Sequence, residues 1–347
     1  MIFGIFTARI WLELMGTTED SLDLATLYLQ IYFGGMIFNM LYNFGAAILR
    51  AVGETKKPLY FLGIAGLANV GLNFLLVLVF HLDVAGVAIG TIVSQAISCI
   101  MIVLSLMRRK GIVHLDLKKL KVDRKCLGEM ILIGLPAGIQ GSLFSVSNVF
   151  IQSAVNSFKT SVVVAGNTAA ANLEGFVYAG MNSFYQACIT FTSQNYGAGK
   201  IKNCKKALLY SQLCTIVSGV LFGGLVLLFG RPLLGIYTPN PEAIDIGMIR
   251  LEIICTTYFL CGIMDVMVGG LRGLGYSIVP MIVSILGACV FRLIWIYTIF
   301  QVEHTLFILY ISYPISWLVT GLVHLICYLV VYRKVKRKLM YLNLITD

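Results

Sequence analysis

Three ionisable residues stand out inside long apolar runs of the sequence: Glu174, Asp265 and Arg292. Charged groups at membrane depth are costly, so they usually mark ion pathways or internal pairs. Asp265 precedes Arg272, in the next polar loop, by seven residues. At 1.5 Å of helical rise per residue, Asp265 lies about 10 Å from that loop. Glu174 and Arg292 lie nearer the opposite ends of their runs, so we expect Arg292 to pair with Glu174 rather than with Asp265.

Two kinds of chemistry follow from these three residues. A carboxylate without a partner in low dielectric favours its neutral form, so Asp265 would suit a proton carrier or a cation anchor. The alternative is a hydrogen-bonded residue of the core. The pair of Glu174 and Arg292 could take part in ion coupling or could be a structural ion pair.

Uncharged polar residues supply further candidates. Asn69 and Asn73 are four residues apart, which places both amides on one face of a helix. Their oxygens could coordinate a cation or a substrate, or the amides could hydrogen-bond neighbouring helices. Tyr178, Tyr185 and Gln186 follow at helical spacing and could line a cavity.

The composition shows which elements position these residues. Hydrophobic residues make up 59% of the 347 residues and charged residues 12%, with a mean hydropathy of +0.89. Soluble domains have about 25% charged residues, and about 20 apolar residues cross a bilayer as a helix. The apolar runs are continuous rather than alternating, which indicates an all-α polytopic membrane protein. The predicted spans are 1–14, 23–48, 58–80, 86–107, 129–155, 167–192, 206–230, 245–270, 278–300 and 307–331.

Basic residues fall on alternate connections between these spans. Most of the 26 Lys and Arg residues lie there, above all in 108–125 and 333–338. The positive-inside rule places such connections in the cytoplasm. We therefore predict a multi-pass protein of the cell membrane with a cytoplasmic C-terminus. Because the basic residues follow the topology, nucleic acid is not an expected partner.

The sequence contains a repeat at an offset of 222 residues. Leu49–Pro58 aligns with Leu271–Pro280 without a gap, including Arg, Gly and Pro. The second copy begins near Cys126, so the first would begin about 96 residues before Met1. We predict a two-lobed protein of six plus six spans whose first lobe is incomplete. The predicted parts are a partial first lobe at 1–107, a cytoplasmic linker at 108–128, a second lobe at 129–332 and a cytoplasmic tail at 333–347.

Several motifs resemble the multidrug and toxic compound extrusion (MATE) family. They are Gly45–Pro58, which contains Leu-Arg-x-x-Gly-Glu-Thr-x-x-Pro, then Asn69-x-x-x-Asn73, Val84–Thr91, Gly134–Pro136 and Ser193–Lys200. The resemblance covers essentially the whole chain. It implies a secondary antiporter that exports organic cations or other amphiphiles, driven by H⁺ or Na⁺, by alternating access between two lobes. It implies no cofactor, and we expect a monomer.

The resemblance also bears on the coupling residues. The family's first-lobe cation site uses a carboxylate in the first span, an Asn-x-x-x-Asp pair and a Thr. Asn69 and Thr91 match that pattern, but Asn73 occupies the Asp position. Asn cannot titrate, so the pattern moves the expected proton coupling towards Glu174 and Asp265.

Three other functions stay open at this stage. A lipid-linked saccharide flippase of the same superfamily would need a strongly cationic cavity, and only Arg292 is expected to lie deep. An intramembrane enzyme would need a nucleophile–base or metal cluster, and the four His residues are scattered without a His-Glu-x-x-His motif. A non-transporting truncated remnant is compatible with an incomplete first lobe, and we expect that the 347-residue chain alone does not transport.

Overall fold

The computed structural model describes residues 2–14, 19–111 and 113–346. Thirteen α-helices account for most of these residues. They are α1 (Ile2–Leu14), α2 (Glu19–Ala51), α3 (Lys56–Phe74), α4 (Asp83–Met107), α5 (Arg124–Asn156), α6 (Ser161–Gly197), α7 (Ile201–Leu228), α8 (Gly230–Tyr237), α9 (Pro241–Gly273), α10 (Ile278–Ser284), α11 (Phe291–Tyr297), α12 (Ile299–Val302) and α13 (Leu306–Thr346). Two π-helical segments, Leu75–Val79 and Ile285–Val290, continue α3 and join α10 to α11.

Eight helical segments of the described chain are long and apolar enough to cross a membrane. The prediction of a polytopic α-helical protein is therefore confirmed. Several helices extend beyond the predicted spans, and two extensions matter below: α6 begins at Ser161 and α9 at Pro241. α13 continues to Thr346, so the predicted tail is helical over 333–346. The predicted division into lobes, linker and tail otherwise stays a prediction.

The chain forms two compact units, residues 1–121 and 122–347. In the first unit, α4 packs against α2 and α3, and α1 packs against α2. Its small core is apolar and contains Tyr42, Ala46, Leu49, Ile102 and Leu106. The Tyr42 hydroxyl donates to the carbonyl of Pro58 at 2.8 Å, which ties α2 to the start of α3.

The second unit is built around α9, which packs against α6, α7 and α13. In the most apolar 18-residue stretch of α9, 56% of the residues are buried. The corresponding share is 33% or less in the other seven candidate spans. Gly166 and Gly247 allow α6 and α9 to approach closely. A Cβ atom added at Gly166 would lie 2.3 Å from the carbonyl oxygen of Ala243 and 3.1 Å from the nitrogen of Gly247. Small residues permit this kind of contact between membrane helices.

The start of the second unit is fixed by a side-chain cap. Asp123 precedes α5, and its carboxylate accepts a hydrogen bond from the backbone N–H of Cys126 at 2.8 Å. This bond stabilises the ionised form and lowers the pKa of Asp123 from its ordinary value. The cap satisfies one of the N–H groups that the first helical turn leaves open.

The repeat found in the sequence has a local structural counterpart in each unit. α2 and α9 are both 33 residues long, and their bounds differ by the predicted offset. Gly53 and Gly275 follow these helices with φ of 84° and 86°, a left-handed conformation that glycine adopts readily at a helix C-terminus. The next helices begin at equivalent positions, Lys56 and Ile278. The two copies differ in where their π-helical segments lie.

Equivalent ion pairs extend this correspondence. The first unit contains a pair between Arg9 and Asp23 at 3.1 Å, and the second unit contains a pair between Arg231 and Asp245 at 2.7 Å. Both pairs are exposed, and exposed ion pairs typically contribute less than about 1 kcal/mol. Their value here is as markers of the repeat rather than as sources of stability.

Candidate functional site

A cavity of about 580 Å³ lies within the second unit. Helices α5, α6, α9, α11 and α13 contribute side chains to its wall. The charged lining residues are two acids and three arginines: Glu174, Asp265, Arg250, Arg272 and Arg292. The rest of the wall combines aromatic residues, amides and small residues. A cavity with a few polar groups on a largely apolar wall is typical of small-molecule binding.

Glu174 forms a two-bond ion pair with Arg250. The Arg250 Nε and Nη2 atoms donate to the two Glu174 carboxylate oxygens, each at 2.7 Å. Arg250 Nη1 donates to Asn167 Oδ1 at 2.6 Å, and the Tyr310 hydroxyl donates to the same oxygen at 3.1 Å. The side chains of both charged residues are only 7% exposed. The pair is thus buried, with extensive hydrogen bonding around it.

The predicted pairing of Glu174 with Arg292 is wrong. The prediction matched depths from assumed span ends, but α6 begins six residues before the predicted span at 167 and α9 begins four residues before the one at 245. Glu174 and Arg250 therefore lie deeper in their helices than their places in the apolar runs indicated. Arg250 was missed because it lay close to the assumed membrane boundary.

Arg292 has a different environment. Its Nε atom donates to Ser316 Oγ at 2.9 Å, and its guanidinium lies 4.1 Å from the ring centroid of Tyr313 and 5.7 Å from that of Trp317. The residue is 3% exposed. None of the ion pairs in the described part of the chain includes Arg292. The π-helical segment Ile285–Val290 ends two residues before it, where α11 begins.

Asp265 has a neutral partner. The phenol of Tyr178, one turn after Glu174 on α6, lies close enough to the Asp265 carboxylate to interact with it. Arg272 is also close enough to act on Asp265 by its charge, although its own hydrogen bonds go to neutral oxygens, Tyr185 Oη and Gln140 Oε1. The expectation that Asp265 lacks an obvious partner is thus corrected: a phenol, rather than a base, contacts it.

Helical spacing explains why these residues meet. On α6, Asn167, Glu174, Tyr178 and Tyr185 are separated by seven, four and seven residues. On α9, Arg250, Tyr258, Asp265 and Arg272 are separated by eight, seven and seven residues. Residues seven or eight apart lie on one helical face. This spacing was the sequence signal that could have identified Arg250 and Arg272 as members of the site.

The residues expected to line a cavity lie in different places. Tyr178 and Tyr185 line the cavity, and so does Arg292. Gln186 does not belong to the lining residues and is exposed, because it follows Tyr185 directly and lies about 100° further round the helix. The prediction that Gln186 lines the cavity is therefore wrong.

The polar candidates of the first unit lie between α3 and α4. Asn73 Nδ2 donates to Asn69 Oδ1 at 3.2 Å, and Asn69 Nδ2 donates to Ser94 Oγ at 3.4 Å. Thr91 turns its hydroxyl to its own helix, where it donates to the carbonyl of Val87 at 2.9 Å. These contacts match the interhelical hydrogen bonding considered above. A role of Asn69, Asn73 and Thr91 in cation binding stays a prediction.

The charge of the cavity also differs from the expectation. Arg292 was expected to be the single deep arginine, and that argument weighed against a flippase. Arg250 and Arg272 also line the cavity. A single deep arginine is therefore no longer an argument against a flippase. Of the two additional arginines, Arg250 is neutralised by Glu174.

The fold and the cavity define a multi-pass helical membrane protein with an internal polar site. The sequence profile of the MatE family matches residues 1–75 and 136–298, more than half of the chain. The chain therefore belongs to the MATE family, which is a family of transporters and not of enzymes. The family resemblance predicted from the sequence is confirmed.

Relatives with curated names agree with this assignment. The chain is 28% identical over 289 residues to the probable multidrug resistance protein YpnP of Bacillus subtilis, covering 83% of this chain and 64% of that protein. It is 25% identical to the probable multidrug resistance protein NorM of Thermotoga maritima, covering 82% of this chain and 61% of NorM. The chain thus spans less than two thirds of the length of these relatives.

Solved structures show the same fold. A MATE protein in a bent conformation superposes with a TM-score of 0.86 at 18% identity, covering 98% of this chain and 75% of that one. A MOP superfamily transporter from Pyrococcus furiosus, described as having a binding pocket of reverse polarity, gives a TM-score of 0.88 at 19% identity. That match covers 96% of this chain and 75% of the other. The predicted MATE-like fold is confirmed.

Proposed function

We propose that the chain functions in multidrug efflux as a secondary antiporter in which Asp265 exchanges a cationic substrate for a coupling ion. The observation that carries the proposal is the contrast between the two acids of one membrane-embedded cavity. Glu174 is held by Arg250 through two bonds of 2.7 Å, whereas Asp265 is contacted by the neutral phenol of Tyr178. YpnP and NorM are named as probable multidrug resistance proteins, which supports drugs as the substrate class.

The contrast assigns different roles to the two carboxylates. Protonating Glu174 would leave Arg250 buried without its counter-charge, which is costly in low dielectric. Protonating Asp265 breaks no hydrogen-bonded ion pair, because the nearby Arg272 directs its hydrogen bonds to neutral oxygens instead. Asp265 is therefore the carboxylate suited to alternate between binding a proton and binding a cation.

Antiport follows from competition at Asp265. An ionised Asp265 attracts a cationic amphiphile, and its protonation removes the charge that holds the cation. A proton gradient directed inward then favours release of the cation on the outer side. Na⁺ could replace H⁺ in the same scheme, so the coupling ion is tested by imposing each gradient in turn. The family resemblance implies that transport occurs by alternating access between two lobes.

The test is uptake of a fluorescent organic cation into proteoliposomes under an imposed pH or Na⁺ gradient. Where wild-type protein accumulates the dye, Asp265→Asn should lose gradient-driven uptake because Asn keeps the volume but does not titrate. Glu252→Gln is the matched control, since Glu252 is an exposed acid on the same helix. Uptake by Asp265→Asn at the wild-type rate would contradict the proposal, whereas the absence of uptake by wild type would agree with the expectation that the 347-residue chain alone does not transport.

A lipid-linked saccharide flippase is the second candidate. The three arginines of the cavity favour it, because pyrophosphate requires a cationic site. Two of these arginines have acids nearby: Arg250 binds Glu174, and the charge of Arg272 interacts with that of Asp265. The net positive charge of the cavity is therefore small for binding a pyrophosphate. Gradient-independent translocation of a lipid-linked saccharide would support this candidate over the antiporter.

The proposed setting is the cell membrane, with the C-terminus in the cytoplasm and the protein acting as a monomer on small amphiphilic molecules. The basic cluster at 333–338 supports this orientation, since Lys and Arg near the ends of spans favour the cytoplasmic side.

A further inference from the structure

We propose that Arg292 forms an anion-binding pole of the cavity, so that the preferred substrates are amphiphiles that carry an acidic group as well as a cationic one. This inference rests on the proposed function, because it names the substrate class of the same cavity. It assigns the acidic group to Arg292 and the cationic group to Asp265. Both residues line the same cavity.

The first argument is the count of charges in the cavity. Glu174 and Arg250 cancel each other in a buried pair. Asp265 and Arg272 lie close enough for their charges to interact. Arg292 is the remaining charged residue of the lining, so the cavity has one uncompensated positive charge when both acids are ionised. An arginine side chain keeps its charge in proteins, so the excess is permanent.

The second argument is the state of the Arg292 guanidinium. Arg292 is only 3% exposed. Its Nη2 atom is buried without a hydrogen-bond partner among the described residues. Leaving a buried donor unsatisfied costs roughly 1–3 kcal/mol, and more for a charged group. Its polar protein contact is the neutral Ser316 hydroxyl at 2.9 Å. A carboxylate or phosphate oxygen in the cavity would supply both the missing acceptor and the missing charge.

The third argument is the wall around Arg292. Tyr313 covers one face of the guanidinium, with its ring centroid at 4.1 Å. Trp317 packs against both Tyr313 and Tyr258, with ring centroids 5.7 and 5.3 Å apart. These rings keep water away from the cation and provide apolar surface for an aromatic substrate. An anion bound here would be held by one cation and by the rings that support it.

The opposite pole of the cavity has the complementary chemistry. Asp265 lies on α9, close to the phenol of Tyr178, whereas Arg292 lies on α11. The two poles thus belong to different helices of one cavity wall, and a zwitterionic amphiphile could contact both. Protonation of Asp265 would still release the cationic end, so this substrate class is compatible with antiport.

The test uses two fluorescent rhodamines that share one aromatic body. One is a cationic ethyl ester, and the other is its free carboxylic acid, a zwitterion at neutral pH. Their affinities are measured by fluorescence anisotropy with the purified 347-residue chain in detergent. Wild type should bind the acid more tightly than the ester. Arg292→Met should weaken binding of the acid by about ten- to a hundredfold, the range of a charge-assisted hydrogen bond, and should leave the ester within about twofold.

Two further variants keep the result interpretable. Arg292→Lys retains the charge and should restore part of the preference for the acid. Arg231→Met makes the same exchange at an arginine whose side chain is 68% exposed, and it should change neither affinity. Retained binding of the ester by Arg292→Met shows that the cavity is intact. Equal losses for acid and ester in Arg292→Met, or no preference in wild type, would overturn the inference.

A competition experiment distinguishes a lipid head group from a soluble carboxylate as the anion that binds at Arg292. Displacement of the bound acid by a short-chain phosphatidylglycerol, but not by a phosphatidylcholine, identifies an anionic lipid head group as an occupant of the same pole. Resistance to both lipids identifies the soluble carboxylate as the occupant.

Asp265→Asn separates this inference from the proposed function, because it should weaken binding of the acid and of the ester alike. If it weakens neither, the coupling assignment fails while the Arg292 result stands on its own.

Discussion

The Arg250 guanidinium binds the Glu174 carboxylate through two parallel bonds, from Nε to Oε1 and from Nη2 to Oε2, each 2.7 Å long. Both side chains are buried, and Asn167 accepts a further bond from Arg250. This geometry removes Glu174 from the groups that are free to bind a cation. It leaves Asp265, on the same cavity wall, as the acid available for exchange.

Breaking the pair from one side should destabilise the protein severely. Glu174→Gln leaves Arg250 buried without its counter-charge, and we expect a loss of roughly 3–5 kcal/mol in the free energy of unfolding. Changing both Glu174 and Arg250 to Met removes both charges and should cost less than the single change. Thermal unfolding in detergent measures the difference, with the exposed Glu252→Gln as control. A double variant less stable than Glu174→Gln would show that the pair is not the main reason for the loss.

The contact between α6 and α9 should tolerate no methyl group at Gly166. A Cβ there would meet the backbone oxygen of Ala243 at 2.3 Å, and backbone atoms cannot move aside as a flexible side chain can. We expect Gly166→Ala to lower stability by about 1–3 kcal/mol. Gly175→Ala, on the same helix, meets no atom within 4 Å and should be nearly neutral. Similar unfolding temperatures for the two variants would contradict this packing.

The asparagine cluster of the first unit should contribute to stability rather than to coupling. Asn69→Ala removes the link between Asn73 and Ser94 and leaves polar groups unsatisfied, at about 1–3 kcal/mol. Asn43→Ala is the control, because Asn43 bonds only within its own helix. The measurement pairs unfolding temperature with cation-driven proton release. Loss of proton release in a folded Asn69→Ala protein would instead support the predicted cation site.

The C-terminus should face the cytoplasm. The basic cluster at 333–338 lies in the C-terminal part of α13, and the positive-inside rule orients it inward. A C-terminal green fluorescent protein fusion should therefore fluoresce, and a C-terminal alkaline phosphatase fusion should be inactive. The reverse pair of results would invert the topology of the second unit.

The fold was largely accessible from the sequence, and particular residues show why. Continuous apolar runs leave helices as the regular structure for a membrane segment, and the offset between Leu49–Pro58 and Leu271–Pro280 predicted equivalent helix ends. The structure places Gly53 and Gly275 at those ends with the same left-handed φ. The positions and order of the helices depend on local composition, so they can be predicted from a single sequence.

The site was accessible only in part. Asp265, Glu174 and Arg292 were identified because ionisable residues within apolar runs are rare. Their partners were not, since pairing depends on how far each helix extends and on its rotation. α6 and α9 begin earlier than the apolar runs indicated, so Glu174 meets Arg250 instead of Arg292. The Tyr178 contact with Asp265 depends on packing between two helices, which composition does not specify.

The most direct test of the account is proton release on binding of an organic cation. The purified chain in weakly buffered detergent is mixed with the cationic rhodamine ester, and the pH change is recorded across a range of starting pH. If the cation and the proton compete for Asp265, wild type should release up to about one proton per cation bound, because the two equilibria are linked. Asp265→Asn should release none, and Glu252→Gln should behave as wild type. Cation binding without proton release in wild type, or undiminished release from Asp265→Asn, would contradict the account.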